Sequence, residues 1–67
     1  MAENLVQGLL EEMNRCRELI KEYEGIGSSG AFAIAAIKLD IQAGENALGG
    51  GDVVEMLDAF KRLKGCR

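Results

Sequence analysis

The apolar positions of the first 24 residues repeat with the period of an α-helix. Apolar side chains recur at intervals of three and four residues, and most of the positions between them are charged or polar. This spacing is typical of an amphipathic α-helix. The sequence therefore predicts a first helix over about residues 4–24. Its apolar face contains Val6, Leu9, Met13, Cys16, Ile20 and Tyr23.

The middle of the chain is more apolar and carries two apolar stripes. The first contains Ile34, Ile37, Ile41 and Leu48, and the second contains Phe32, Ala36, Leu39, Ala43 and Ala47. A helix with two apolar faces is buried on two sides. We expect a second helix over about residues 29–48, with Ser28 or Ser29 capping its start. We expect the first stripe to meet the other helices of the same chain.

A third helix is expected over about residues 52–64. Gly49 to Gly51 end the second helix, and Asp52 followed by Glu55 three residues later has the form of a capping box. The apolar stripe of this helix contains Val53, Met56, Leu57, Phe60 and Leu63. Both linkers are short, so sequential helices should be antiparallel neighbours. The predicted fold is all-α, a helical hairpin plus a shorter third helix in a single domain over residues 1–67.

The second stripe of the middle helix raises the question of self-association. A domain of 67 residues buries only about 60% of the surface that its unfolded chain exposes. Three stripes can close one small core, which describes a self-contained three-helix bundle. The second stripe is then left over, and this favours a homodimer or a higher homo-oligomer. We expect the chain to complete its core as a homo-oligomer, with Phe32, Ala36, Leu39, Ala43 and Ala47 at the interface.

Composition and charge exclude several classes of function. The formal net charge is −3, so the basic footprint of a nucleic-acid-binding domain is absent and direct nucleic-acid binding is not expected. No apolar run reaches the length of about 18 residues that a membrane span needs. The first residues lack the basic start of a signal peptide. We therefore expect a location in the bacterial cytoplasm, or in the host cytoplasm if a phage encodes the chain.

The side chains that carry out catalysis are scarce. The chain has no histidine and two cysteines, Cys16 and Cys66, which are too few for a zinc site. We predict no catalytic residue, no metal site and no cofactor, and hence no enzyme. The rise of the third helix brings its end near the level of Cys16. Two independent reduced thiols are the expected state in a reducing cytoplasm, and a thiol pair of Cys16 and Cys66, brought together as neighbours in space, is the alternative.

The segment Gly25-Ile-Gly27-Ser-Ser-Gly30 matches the pattern G-x-G-x-x-G. That pattern binds a dinucleotide only where a strand precedes it within a βαβ unit, and here a charged helix precedes it. We expect a glycine-rich turn that lets two helices pack closely. The alternative is a small anion, or the phosphate of a nucleotide, held at the start of the second helix by Gly27, Ser28, Ser29 and Gly30.

Parts of the sequence resemble short uncharacterised helical proteins of proteobacteria and their phages. The resemblance covers about residues 25–66 and carries no transferable site. It rests on the runs Gly30-Ala-Phe-Ala-Ile-Ala-Ala-Ile-Lys-Leu-Asp-Ile41, Gly51-Asp-Val-Val-Glu-Met-Leu-Asp-Ala-Phe60 and Leu63-Lys-Gly-Cys66. Such an origin implies a small acidic protein that blocks a host defence by binding a protein or by sequestering a signal nucleotide.

Three functional hypotheses follow from these observations. The first is a non-enzymatic homo-oligomeric binding protein, of the kind that phages use to inhibit a host defence complex, as anti-CRISPR proteins do. The second is a small-ligand or nucleotide-sequestering protein that uses the glycine-rich turn. The third is a purely structural oligomerisation module. The expected partners are a second copy of the chain and, under the first hypothesis, a host protein.

Overall fold

Three α-helices joined by short connections account for nearly all of residues 2–66, which a computed structural model describes, with side chains from residue 4 onward. Helix α1 spans Ala2–Glu24, a 3-10 turn spans Ser28–Gly30, helix α2 spans Ala31–Gly50 and helix α3 spans Val53–Lys64. These residues contain no strand. The all-α class is confirmed.

Each helix packs against both of the others. The shared core consists of Leu9, Met13, Cys16, Ile37, Ile41, Ala47, Met56, Ala59, Leu63 and Cys66. Helix α1 contributes the first three of these residues at intervals of four and three, which keeps them on one side of the helix. The remaining members come from the faces of α2 and α3 that meet it, except Cys66, which lies just beyond the end of α3.

Helices α1 and α3 run in the same direction, with α2 antiparallel to both. The Phe60 ring lies over Gly8, where a Cβ atom would be 3.4 Å from ring atom Cε1. Further along both helices, the Cys16 Sγ donates to the carbonyl of Leu63 at 3.5 Å. The order of these two contacts along each helix fixes the parallel arrangement. Gly8 is therefore a position where a bulky ring of α3 approaches the backbone of α1.

The start of α2 differs from the prediction. Neither Ser28 nor Ser29 caps the helix, because both lie within the 3-10 turn and the N-cap residue is Gly30 without a side-chain hydrogen bond. The helix begins at Ala31 and continues through Gly50, two residues beyond the predicted end. Gly51 then adopts a left-handed conformation with φ of 71°. A left-handed residue just past a helix is a common C-terminal stop and favours glycine.

Helix α3 begins as the sequence predicts, but its buried face is shifted. The Asp52 Oδ1 accepts a hydrogen bond from the backbone N–H of Val54 at 2.9 Å, which confirms Asp52 as the cap. Met56 and Leu63 are buried as expected. Val53 and Leu57 are about half exposed, and the small residue Ala59 is buried in their place. The face of α3 that meets both neighbours is thus the Met56, Ala59 and Leu63 side.

Candidate functional site

The N-terminal half of α2 presents an uncovered apolar surface. Phe32 is 88% exposed and Leu39 is 64% exposed, and Ala35 and Ala36 between them are also exposed. These four residues, spaced by three, one and three positions, form what we call the outer face of α2. None of them carries a charge. A phenylalanine exposed to this extent is unusual, because aromatic side chains bury large areas in folded proteins.

The C-terminal part of the predicted interface stripe is not part of this surface. Ala47 is 3% exposed and belongs to the core of its own chain, and Ala43 is half-buried. Both line a shallow cleft between α2 and α3 together with Ala59. The prediction that Ala47 lies at an intersubunit interface is therefore wrong. Phe32, Ala36 and Leu39 lie where the prediction requires an exposed surface.

The reason that the stripe is divided is the short length of α3. At about 1.5 Å per residue, α2 is roughly 30 Å long and α3 roughly 18 Å. Helix α3 starts beside Ala47 and ends near Asp40, where the Cys66 thiol bonds the Asp40 carboxylate at 3.2 Å. Little of the chain that the structure describes extends beyond this level to cover Phe32. The outer face of α2 is exposed because the third helix ends halfway along it.

The glycine-rich turn packs helix against helix. A Cβ atom on Gly30 would overlap the backbone carbonyl oxygen of Tyr23 and would be 3.1 Å from the Tyr23 carbonyl carbon. Gly30 is buried, whereas Gly27, Ser28 and Ser29 are exposed. Gly27 has a φ of 93°, a conformation that favours glycine. These contacts account for the two glycines by close packing and by backbone conformation.

The same turn is the alternative site for an anion or ligand. The Nζ of Lys21, in the last turn of α1, lies 3.5 Å from the Oε1 of Glu18 in an ion pair. The structure thus places the four predicted residues together in one turn, and its geometry adds no feature that points to a ligand. The nucleotide hypothesis stays a prediction.

The two cysteines, far apart in sequence, lie together where α1 meets the end of α3. The Cys16 Sγ donates to the carbonyl oxygen of Leu63 at 3.5 Å, and the backbone N–H of Cys66 donates to the same oxygen at 3.1 Å. The shared contact with the Leu63 carbonyl oxygen holds the two cysteines side by side. Both are free and buried. The structure therefore brings the predicted thiol pair together.

Arg15 holds this end of the molecule together, a role that its place on the charged face of α1 does not suggest. Its guanidinium Nη2 donates to the carbonyl of Leu63 at 2.7 Å and its Nη1 donates to the carbonyl of Cys66 at 3.1 Å. The same side chain pairs with Glu12 at 3.2 Å. Carbonyls at a helix C-terminus lack partners within the helix. Arg15 supplies donors for the carbonyls at the end of α3.

Asp40 on α2 completes the cluster around the thiols. Its Oδ2 accepts from the Cys66 thiol at 3.2 Å, and its Oδ1 lies 3.5 Å from the Nε of Arg62 on α3. Burial, the hydrogen bond to Asp40 and the neighbouring Cys16 raise the pKa of the Cys66 thiol to about 12. Burial also raises the pKa of Cys16, and Cys66 and Arg15 oppose that shift. Both thiols are protonated at neutral pH.

These raised pKa values predict that the protein loses stability in alkali. In the unfolded chain a cysteine ionises near its ordinary pKa of 9.0, whereas folded Cys66 stays protonated up to a pKa of about 12. The contribution of Cys66 to the free energy of unfolding is therefore fully present below pH 9 and declines as the pH rises towards 12. The decline is about 1.4 kcal/mol for each pH unit. Urea unfolding at pH 7.5 and pH 10.5, under reducing conditions, measures it.

The Cys66→Ala variant is the control for this decline, because it removes the Cys66 thiol and keeps every other contribution to unfolding in alkali. The free energy of unfolding of the variant should fall less between the two pH values than that of the parent. Parallel declines in the two proteins would contradict the prediction.

Within residues 2–66, no group of three or more histidine, cysteine or carboxylate side chains is placed to hold a metal ion. No helix in that range has both the length and the apolar character needed to cross a membrane. No protein family matches the chain, and searches of curated proteins and of solved structures give no significant match.

Proposed function

We propose that this chain is a non-enzymatic helical binding protein that pairs with a second copy of itself through the outer face of α2. The observation that carries the proposal is Phe32, which is 88% exposed on a helix whose Ile37, Ile41 and Ala47 are buried in the core of its own chain. Leu39 adds a second large apolar side chain two turns along the same face. Exposed apolar surface of this kind marks interaction sites on small proteins.

The pattern of large and small residues favours a second copy as the occupant. The order along the outer face is large, small, small, large, from Phe32 through Ala35 and Ala36 to Leu39, and it reads similarly in both directions. In an antiparallel pair about a two-fold axis between Ala35 and Ala36, Phe32 of one copy faces Leu39 of the other. The alanines at the crossing let the two helix backbones approach closely. A two-fold interface requires a surface that is complementary to itself in this way.

The size of this surface indicates how strong the pairing should be. Burying both copies of Phe32 and Leu39 removes roughly 400 Å² of apolar surface, worth about 10 kcal/mol at about 25 cal/mol per Å². Association costs about 4–15 kcal/mol in lost freedom. At the low end of that cost, about 4–6 kcal/mol, the balance is about 4–6 kcal/mol and gives a concentration-dependent dimer with a Kd on the order of 40 µM to 1 mM.

The first test replaces both large residues of the outer face with glutamate, as Phe32→Glu together with Leu39→Glu. Two buried, unpaired charges on each copy prevent pairing. Sedimentation equilibrium from about 10 µM to 1 mM should show the parent chain passing from its 7.2 kDa monomer mass towards twice that mass. The double variant should stay at the monomer mass throughout, with unchanged helicity by circular dichroism.

Val54→Glu is the matched control. Val54 is 74% exposed on α3, away from the outer face, so the change adds one glutamate, against two in the double variant, to a comparably accessible apolar position. This variant should dimerise like the parent. A parent chain that stays monomeric at 1 mM would rule out the proposal, and so would equal losses of pairing in the control and in the double variant.

Two finer hypotheses from the sequence stay predictions. Inhibition of a bacterial defence complex is tested by expressing the chain in bacteria whose CRISPR system restricts a phage and counting plaques. Sequestration of a nucleotide is tested by thermal shift against a nucleotide panel, with Ser29 changed to a bulky residue as the control. A chain that dimerises but does neither would fit the purely structural module.

A further inference from the structure

We propose that Cys16 and Cys66 are a redox site, in which a small disulfide of the oxidised glutathione class converts the two thiols into an intramolecular disulfide. The bond fastens α1 to the end of α3. The inference does not use the pairing of two chains as a premise and concerns the monomer, because Ala36 of the outer face also lines the cleft at Cys66. It rests on two buried cysteines, 50 positions apart in sequence, that the fold brings to the same place: the thiol of Cys16 and the backbone N–H of Cys66 donate to one carbonyl oxygen, that of Leu63.

The reaction balances as two successive thiol–disulfide exchanges. The Cys66 thiol loses its proton to water, and its sulfur attacks one sulfur of the small disulfide, which releases one small thiol. Cys16 then loses its proton and attacks the Cys66 sulfur of this mixed disulfide, which releases the second small thiol. Two electrons pass from the two cysteine sulfurs to the small disulfide, and the two small thiolates take up the two protons. No metal and no further reductant is required.

The order of the two steps follows from burial. Cys16 is fully buried at 0% exposure, whereas Cys66 is 8% exposed and lines a cleft with Ala33, Ala36 and Lys61. An external disulfide therefore reaches Cys66 first. Cys16, held beside Cys66 against the carbonyl oxygen of Leu63, is positioned to resolve the adduct from inside the protein.

Asp40 controls how readily the first step occurs. The thiolate is the attacking species, and a carboxylate that accepts the thiol proton disfavours it. Groups from all three helices face the pair: Arg15 and Glu12 on α1, Asp40 on α2 and Arg62 on α3. Arg15 lies 3.9 Å from the Cys16 sulfur and favours its thiolate, whereas Asp40 opposes ionisation of Cys66. The attack of Cys66 on the small disulfide is therefore slow, and the disulfide between Cys66 and Cys16 forms only where the small disulfide is abundant.

The experiment exposes the folded, reduced full-length chain to oxidised glutathione, stops the reaction with acid and alkylates the remaining thiols for mass spectrometry. The parent chain should lose two hydrogen atoms, take up no alkylating group and run as a monomer on a non-reducing gel. Its Tm should rise by about 10 °C or more, because the bond closes a loop of about 50 residues in the unfolded chain.

Three variants separate the steps. Cys16→Ser should stop at the glutathione adduct of Cys66, and Cys66→Ser should leave Cys16 free at times when the parent is fully oxidised. Asp40→Asn keeps the shape of the side chain and removes its charge, and it should raise the rate of oxidation about tenfold at pH 7.5.

A parent chain that accumulates a stable glutathione adduct, forms only intermolecular disulfides, or oxidises only in urea would overturn the proposal. An unchanged rate of oxidation in Asp40→Asn would show that Asp40 does not slow the reaction of Cys66.

Discussion

Replacing Gly30 with alanine is expected to remove about 2–4 kcal/mol of stability. The core of a domain this small rarely supplies more than about 3–5 kcal/mol, so the variant should be largely unfolded. The added Cβ would overlap the carbonyl oxygen of Tyr23 and lie 3.1 Å from its carbonyl carbon. That oxygen also accepts a hydrogen bond from the N–H of Ile26 at 3.1 Å. Neither backbone can move aside without opening the turn that joins α1 to α2.

Two glycines within α2, Gly44 and Gly49, provide comparisons for the same substitution. A Cβ on Gly49 would have nothing within 4 Å, so alanine there should be neutral or stabilising by up to about 1 kcal/mol. A Cβ on Gly44 would lie 3.0 Å from the Sδ of Met13, a flexible side chain that can shift, so the effect of that change should be intermediate. Urea unfolding followed by circular dichroism ranks the three variants. Equal stabilities of the Gly30 and Gly49 variants would show that the contact with Tyr23 does not constrain the turn.

Local features of the sequence were enough to predict the helices. The intervals between Leu9, Met13 and Cys16 define one helix face by themselves, and the Asp52 cap needs only its own turn to form. Gly30 was also correctly expected to permit close helix packing. The capping prediction for Ser28 and Ser29 failed because a 3-10 turn uses these residues before α2 begins. The choice between such a turn and a cap depends on how α2 packs onto Tyr23, which lies outside the local sequence.

The candidate sites were less predictable because they depend on where one helix ends beside another. Periodicity places Phe32 and Ala47 on one stripe, but only the length and position of α3 decide that Ala47 is covered and Phe32 is not. The proximity of Cys16 to Cys66 followed from helix rise alone. Arg15 and Asp40 could not be assigned to the thiol cluster from the sequence. The sequence does not show which charged residues of a polar helix face contact a neighbouring helix and which are solvated.

Replacing Leu63 with alanine is expected to cost about 3 kcal/mol, the second large effect. Leu63 is fully buried, and its Cδ1 would lie 3.4 Å from a Cβ built on Gly44, so its side chain fills the centre between α2 and α3. Truncating a buried leucine loses its transfer free energy and leaves a cavity, and together these cost about 2–5 kcal/mol. The same change at Leu57, which is on the same helix but 45% exposed, should cost less than about 1 kcal/mol. Urea unfolding of the two variants measures the difference.

A double-mutant cycle tests whether Gly44 of α2 and Leu63 of α3 are in contact, as they are in the structure. Gly44→Ala alone crowds both Met13 and Leu63, whose atoms would lie 3.0 Å and 3.4 Å from the new methyl group. In a chain that already carries Leu63→Ala, the same methyl group enters the cavity and Met13 can shift towards it. The double variant should therefore be more stable than the sum of the single effects predicts, by about 0.5–2 kcal/mol. Strict additivity would mean that Gly44 and Leu63 are not neighbours in solution, and that α2 and α3 meet elsewhere.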